Sequence, residues 1–161
     1  MDVTDKILKF IHFETRCAAI YRHLSVLFSD AKELFGTISK EEDGHAAILE
    51  RALSCFKAGD LSLEFFAFLS PQIDEALDLV SKIESRLTAK DLTLPEALEL
   101  MLEMEKSVAE KYLIGYLIDM SFVKGGLAIS HEFAKMVCEG GCHVTQIKEF
   151  MRNGATEERG R

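Results

Sequence analysis

The sequence predicts an all-α protein in which four long helices pack around one core. Apolar residues recur at steps of three and four along four segments, and no run alternates apolar and polar residues for long enough to predict a strand. Leu, Ala, Glu and Lys are abundant, whereas the chain has no Trp and only 2 Pro. Its 161 residues suit one domain with a core large enough to be stable alone.

The overall charge limits the partners that this chain is expected to bind. A formal net charge of −8 disfavours nucleic acids and anionic membrane surfaces, because both bind basic patches. The N-terminus has no signal-peptide pattern, and no apolar run approaches the roughly 18 residues that span a bilayer. We therefore expect a cytoplasmic protein that contacts neither nucleic acid nor membrane.

The first helix is predicted by an apolar stripe with a carboxylate in its middle, which contains Ile7, Phe10, Glu14, Cys17, Tyr21, Leu24 and Phe28. Burial of a lone carboxylate is costly, so Glu14 needs a partner within the core. Ser29 and Asp30 predict the turn that follows this helix.

The second helix is predicted by the same steps, and its stripe contains Phe35, Ile38, Glu42, His45, Leu49, Ala52 and Phe56. Glu42 and His45 are three residues apart, so their side chains share one face and can reach one ion. Gly59 is expected to end the helix, because glycine readily adopts the conformation of a helix stop.

Residues 61–90 are expected to form a long crossover between the second and third helices of the bundle. Pro71 can start a short helix there, whose apolar positions are Ile73, Leu77, Val80, Ile83 and Leu87. A capping box from Thr93 to Glu96 then starts the third helix. The stripe of that helix contains Leu98, Met101, Glu105, Val108, Tyr112 and Gly115.

The fourth helix follows a break expected at residues 121–126, and its stripe contains Ile129, Phe133, Met136, Gly140, His143, Ile147 and Phe150. The bundle is predicted to occupy residues 1–152, and residues 153–161 are predicted to form a flexible tail. The remaining histidines lie off the shared stripes and are expected at the surface or in packing contacts: His12, His23 and His131.

The two halves of the chain repeat one pattern of polar residues within their apolar stripes. Glu14 and Tyr21 are seven residues apart, as are Glu105 and Tyr112. Each half then places one histidine on its next helix, and an extra heptad in the second half keeps that histidine facing the core. Four helices that carry such groups predict a metal site in the bundle core. The candidate ligands are Glu14, Glu42, His45, Glu105 and His143.

Two copies of a Glu-x6-Tyr helix followed by a Glu-x-x-His helix, around a crossover, resemble the rubrerythrin-type branch of the ferritin-like di-iron carboxylate proteins. The similarity extends from about Ile7 to Phe150 and is carried by the segments FETRCAAIY, EEDGH and EMEKSVAEKY. It implies a ferritin-like four-helix bundle. It also implies that Glu14 and Glu105 are terminal carboxylate ligands and that Glu42 is a bridging carboxylate. His45 and His143 would be the imidazole ligands, and Tyr21 and Tyr112 would be adjoining tyrosines.

The resemblance further implies a redox enzyme that reduces peroxide or dioxygen with Fe(II). Two iron ions are the expected cofactor, with manganese or zinc as alternatives, because these ions accept mixed oxygen and imidazole ligands. The sequence has no counterpart of the cysteine-ligated iron domain of rubrerythrins, so a separate protein is expected to donate electrons. We also expect a homodimer.

One position departs from the family pattern, because the fourth helix has Gly140 where a second bridging carboxylate is expected. Glu139 is the nearest substitute, four residues before His143. Gly140 and Gly141 each cost roughly 1 kcal/mol in a helix, which predicts a local bulge that turns Glu139 inward. A weaker dinuclear site, a single-ion site and a fold without metal all stay open.

Simpler structural interpretations exist for each of these residues. A Glu-x-x-His pair can be a hydrogen-bonded pair of the core, and a tyrosine in a stripe can be core packing whose hydroxyl finds a partner. Cys138 and Cys142 lie one helical turn apart and are either small apolar residues or a pair of metal ligands or redox-active thiols. The alternative function is a non-catalytic helical module that binds one metal ion or none and acts through association.

Overall fold

The computed structural model of the protein confirms the all-α class. It contains no strand in the part of the chain that it describes, which is residues 3–59, 70–89, 92–119 and 127–157. Within these ranges only the backbone is described for residues 70–72, 107–119, 127–130 and 155–157. The described helices are α1 Val3–Leu27, α2 Lys32–Ala58, α3 Ser70–Ala89, α4 Leu94–Asp119 and α5 Leu127–Glu157, with a 3-10 turn at Ser29–Ala31.

Helices α1 and α2 are antiparallel neighbours because a tight connection joins them. The 3-10 turn over Ser29–Ala31 leads directly from α1 into α2, where the sequence predicts a turn. The hydroxyl of Ser39 donates a hydrogen bond of 2.9 Å to the Ala18 carbonyl within the buried contact between the two helices. Gly59 ends α2 in the left-handed conformation, with φ of 82°, so the predicted glycine stop is confirmed.

Helix α3 is longer than the short crossover helix that the sequence predicts. It has 20 residues, and it packs against α1 and α4. Its predicted apolar positions are all buried or half-buried, so its stripe contacts the core from Ile73 to Leu87. Arg16 binds both carboxylate oxygens of Glu84, at 2.9 and 2.6 Å, and this pair ties α3 to α1. The crossover is therefore a fifth helix of the core and not only a linker.

Thr93 and Glu96 form the cap at the start of α4. The backbone N–H and the hydroxyl of Thr93 both donate to the Glu96 carboxylate, at 2.9 and 2.6 Å. These hydrogen bonds, helped by Arg86, lower the pKa of Glu96 to about 2. The half of the predicted capping box in which Glu96 binds the Thr93 backbone is present, at the start of the helix that carries Glu105.

Helix α5 runs without interruption through Gly140 and Gly141, so the bulge predicted at this pair is not present. Side chains of the same helix are buried on both sides of the glycine pair: Met136 before it, and His143 and Ile147 after it. Each glycine costs only about 1 kcal/mol in a helix, and the burial of these neighbours offsets that cost. Packing therefore overrides the weak local preference.

The ends of α4 and α5 agree in part with the predicted boundaries. Helix α4 ends at Asp119 and α5 begins at Leu127, and the predicted break at 121–126 lies outside the described residues. Helix α5 continues to Glu157, past the predicted start of a flexible tail at residue 153. Residues 158–161 lie outside the described part of the chain, so the flexibility of the tail stays a prediction.

The apolar stripes of the described helices meet in one core. Every predicted stripe residue of α1 and α2 is buried, apart from the half-buried Phe28 and Phe56. His12, His23 and His131 are exposed, in agreement with their positions off the stripes. None of the helices that the structure describes combines the length and the apolar character needed to cross a bilayer.

Candidate metal centre

Four helices place titratable side chains together inside the apolar core. Helix α1 contributes Glu14, α2 contributes Glu42 and His45, α4 contributes Glu105, and α5 contributes His143. Between 0 and 7% of each residue is exposed, which is unusual for charged residue types. The structure thus brings together the five residues that the sequence singles out as ligands. They converge because each occupies an inward position in the stripe of its own helix.

Glu42 lies at the centre of this cluster, because its two carboxylate oxygens face different imidazoles. Its Oε2 is 3.4 Å from Nδ1 of His45, and its Oε1 is 3.1 Å from Nδ1 of His143. Glu14 lies 3.7 Å from Nδ1 of His45, and Glu105 lies 3.3 Å from Nδ1 of His143. Two groups of three ligands result, and Glu42 belongs to both.

Protons compensate the buried carboxylates in the metal-free protein. Burial lowers the pKa of each histidine, but hydrogen bonds with the carboxylates outweigh burial and raise the pKa of His45 to about 10 and that of His143 to about 11. Burial and the neighbouring charge of Glu42 raise the pKa of Glu14 to about 8. At neutral pH both rings are therefore imidazolium cations, and Glu14 is largely protonated.

The central carboxylate behaves in the opposite way. Burial raises the pKa of Glu42, but hydrogen bonds from Glu14 and from both imidazoles outweigh burial, and the pKa is lowered overall. Glu42 therefore keeps its charge at neutral pH. The two imidazolium rings stack on each other, with centroids 5.9 Å apart, and both direct Nδ1 at Glu42.

A further pair of glutamates holds the outer nitrogen of each imidazole. Nε2 of His45 is 3.2 Å from the Glu139 carboxylate, and Nε2 of His143 is 2.8 Å from the Glu41 carboxylate. Each glutamate lies four residues before the histidine of its own helix and binds the histidine of the other helix. This reciprocal arrangement leaves both Nδ1 atoms directed at Glu42, as required of imidazoles that present Nδ1 to an ion.

The structure places Glu139 away from the position of the missing bridge. Its carboxylate binds the outer nitrogen of His45 and the ammonium group of Lys135, which is 3.2 Å away, and it belongs to neither group of three ligands. Sequence reasoning missed Glu41 altogether. The signal that identifies it is the Glu-x-x-x-His spacing, which α2 and α5 share.

Tyr21 connects the two halves of the centre. Its hydroxyl donates a hydrogen bond of 2.6 Å to Oε1 of Glu105, and its side chain is buried. Burial, together with the charge of Glu105, raises the pKa of Tyr21 well above its ordinary value, so the hydroxyl stays a donor. Tyr112 lies in α4, and its side chain is outside the described residues.

Two sulfur atoms adjoin the cluster on the side of α1 and α4. Sγ of Cys17 lies 3.6 Å from Sδ of Met104, and both side chains are buried. Burial and the nearby carboxylates raise the pKa of Cys17 well above its ordinary value, so it stays a thiol. Its stripe position suggested only apolar packing, and its contact with Met104 agrees with that role.

The donor set fits divalent transition-metal ions. Three carboxylates and two imidazoles supply the mixed oxygen and nitrogen ligands that iron, manganese and zinc accept. The outer nitrogen of each imidazole is held by a carboxylate, which is the usual support of a ligating histidine. Metal binding would displace the protons that the imidazoles and Glu14 carry in the metal-free protein.

Comparisons with models of known protein families, with curated proteins and with solved structures give no match. The chemistry of this centre is therefore inferred from its own donor atoms and from the spacing of its ligands. Those atoms lie within 4.8 Å of one another in each group of three, inside a core that is mostly apolar.

Proposed function

We propose that this protein is a rubrerythrin-like member of the ferritin-like di-iron proteins, and that it reduces peroxide or dioxygen with Fe(II). The observation that carries the proposal is the position of Glu42, whose two oxygens face two different imidazoles. A carboxylate in such a position can hold two cations side by side. The packing of α1 on α2, of α4 on α5, and of a crossover helix against both pairs supports a ferritin-like arrangement.

The residues that would hold the ions form two sets, which are Glu14, Glu42 and His45, and Glu42, Glu105 and His143. When bound, Fe(II) would supply the electrons that reduce the oxidant. Glu41 and Glu139 accept hydrogen bonds from the outer N–H of the imidazoles and so fix the ring orientation. Tyr21 holds Glu105 in place through its hydroxyl.

The position of Gly140 sets an expectation for the rate. Helix α5 offers no carboxylate three residues before His143, so Glu42 alone would bridge the ions. We therefore expect peroxide reduction that is present but slow, because one bridging carboxylate would hold two ions less firmly than two would. We propose that a separate protein donates the electrons for continued turnover.

Metal content tests the shared site. Protein purified without chelator should hold about one to two transition-metal ions per chain, as two adjacent ligand sets allow. The double variant His45→Ala/His143→Ala should lose this metal while circular dichroism shows the same helicity. The matched control His12→Ala/His23→Ala removes two exposed histidines of α1 and should leave the metal content unchanged. Equal metal content in both double variants would contradict the shared site.

Anaerobic loading with Fe(II), followed by stoichiometric peroxide, tests the reaction. We expect the bound Fe(II) to be oxidised and the peroxide to be consumed, as followed by absorbance and by a peroxide assay. Metal binding without any oxidation would favour the alternative, a non-catalytic helical module that acts through association. The absence of a carboxylate at Gly140 is the observation that favours this alternative.

A further inference from the structure

Two exposed thiols lie one helical turn apart on α5, beside the metal centre. Cys138 and Cys142 are exposed and form no disulfide, whereas Cys17 is buried in the core. Cysteine is usually among the most buried residue types, so an exposed pair on one helix is unusual. Glu139, Gly140 and Gly141 lie between the two cysteines in the sequence.

We propose that Cys138 and Cys142 close a reversible disulfide that acts as a redox switch on the neighbouring centre. Residues four apart in an α-helix have Cα atoms about 6 Å apart, which a disulfide can span. Their Cβ atoms are about 5–6 Å apart, which exceeds the roughly 4 Å that the bond requires. The helix therefore distorts on closure, and Gly140 and Gly141 lower the cost of distortion at this place.

A low-molecular-weight disulfide, such as oxidised glutathione, supplies the oxidising equivalents. The thiolate of one cysteine attacks this reagent, forms a mixed disulfide and releases one small thiol. The thiolate of the other cysteine then attacks the protein-bound sulfur, closes the bond and releases the second small thiol. The protein loses two electrons and two protons, and the reagent gains both. Excess dithiol reverses the reaction.

Closure displaces contacts on both sides of the centre, because the distorted segment carries them. Glu139 follows Cys138 directly and holds Nε2 of His45 at 3.2 Å. His143 follows Cys142 directly, and its ring contacts carboxylates of α2 and α4. Oxidation is therefore expected to release His45 from its support and to lower the affinity for metal. The bond itself needs no metal, and only the change in affinity rests on the proposed function.

Treatment of reduced, metal-free protein with excess oxidised glutathione tests the bond. We expect mass spectrometry of the peptide that contains Cys138 and Cys142 to show the loss of two hydrogen atoms. The imidazole signals of His45 in NMR spectra should shift at the same time. Cys138→Ser and Cys142→Ser should each prevent closure, whereas Cys55→Ser, which removes a half-buried thiol of α2, should not.

Gly141→Ala tests the role of the glycines, since a methyl group at this position meets no atom within 4 Å. It should slow closure by about fivefold, because alanine stabilises the helix. Gly154→Ala makes the same change in open space elsewhere on α5 and should leave the rate unchanged. Stable glutathione adducts without a closed bond would overturn the proposal, as would closure that leaves the His45 signals in place. Closure with shifted signals, in a protein that binds neither Fe(II) nor Mn(II), would support the switch and contradict the proposed function.

Discussion

The two halves of the centre differ in the number of carboxylates that precede their histidines. Helix α2 has Glu41 and Glu42 before His45, whereas α5 has Glu139 followed by Gly140. The residue at minus four supports the opposite imidazole in both halves. A carboxylate at minus three, which faces both imidazoles, is present in α2 only. Support of a histidine and bridging between histidines are therefore separate functions of adjacent positions, and α5 retains the first without the second.

Replacement of Glu42 is expected to have the largest effect, because both halves use it. Glu42→Ala should lower the affinity for both ions by at least about tenfold, since each loses a direct ligand. Metal analysis after dialysis measures the loss. Glu50→Ala, which removes an exposed carboxylate from the same helix, should leave loading unchanged. Loss of only one ion would show that the halves bind metal independently.

The pH dependence of stability probes what the two halves share. Carboxylates raise the pKa of His45 to about 10 and that of His143 to about 11, so the folded, metal-free protein binds protons more tightly than the unfolded chain. The resulting stabilisation is fully present below about pH 6.5 and is lost as the pH rises through the folded values. In chelator, Tm should fall by about 5 °C or more between pH 7 and pH 10.

Glu14 adds to this trend with the same sign. Its pKa is raised from 4.5 to about 8, so its contribution is present below pH 4.5 and is lost as the pH rises through about 8. Saturating Mn(II) should oppose the trend, because metal displaces the same protons. His45→Gln/His143→Gln should flatten the metal-free profile. A profile in chelator that is already flat for the wild type would contradict the protonated cluster.

Gly140→Glu tests whether the missing bridge can be restored. The new carboxylate lies three residues before His143 and should raise Tm with Fe(II) or Mn(II) bound by about 3–6 °C, through metal linkage and helix propensity. Without metal it adds another negative charge at a half-buried position beside the buried carboxylates and should destabilise. Gly141→Glu is the matched control, because its side chain enters open space and should show no dependence on metal. Equal destabilisation of the Gly140 variant in both conditions would mean withdrawing the di-metal assignment.

Tyr21→Phe should have the smallest effect and should act across the two halves. It removes the hydrogen bond to Glu105 and is expected to lower the free energy of unfolding by about 1–2 kcal/mol. Urea denaturation measures this change, and metal titration should show that the α4/α5 half is weakened more. Tyr112→Phe is the comparison, since Tyr112 is the counterpart of Tyr21 in the sequence repeat. A Tyr21 variant as stable as the wild type would show that the hydrogen bond contributes nothing net.

The convergence of the five candidate residues could be predicted because each depends on a short-range property of one helix. Glu42 and His45 recur at helical spacing within an apolar stripe, so their shared direction follows from the sequence alone. The same property predicts that Glu105 and His143 face inward. Which carboxylate meets which imidazole depends on how far α2 and α5 are shifted along each other. The spacing of residues within one helix does not determine the relative shift of two helices. The contact between Glu41 and His143 therefore does not follow from the sequence pattern.

The errors concern places where packing outweighs local preference. Gly140 and Gly141 favour distortion of an isolated helix, but α5 packs against α2 and α4 and stays regular. The sequence predicts the apolar stripe of the crossover helix, yet the full length of the helix follows from contacts with α1 and α4. Burial of a complete stripe stabilises a helix more than its propensity does.

Helix α3 also governs the rotation of α1 about its own axis. Arg16 lies two residues after Glu14, so the two side chains point about 200° apart around the helix. Glu84 of α3 forms an ion pair with the guanidinium of Arg16 on one side of α1, and Glu14 is buried in the core on the other side. The crossover helix thus restrains rotation of α1 about its axis. A rotation that withdraws Glu14 from the centre also breaks the bidentate ion pair between Arg16 and Glu84 on the opposite face.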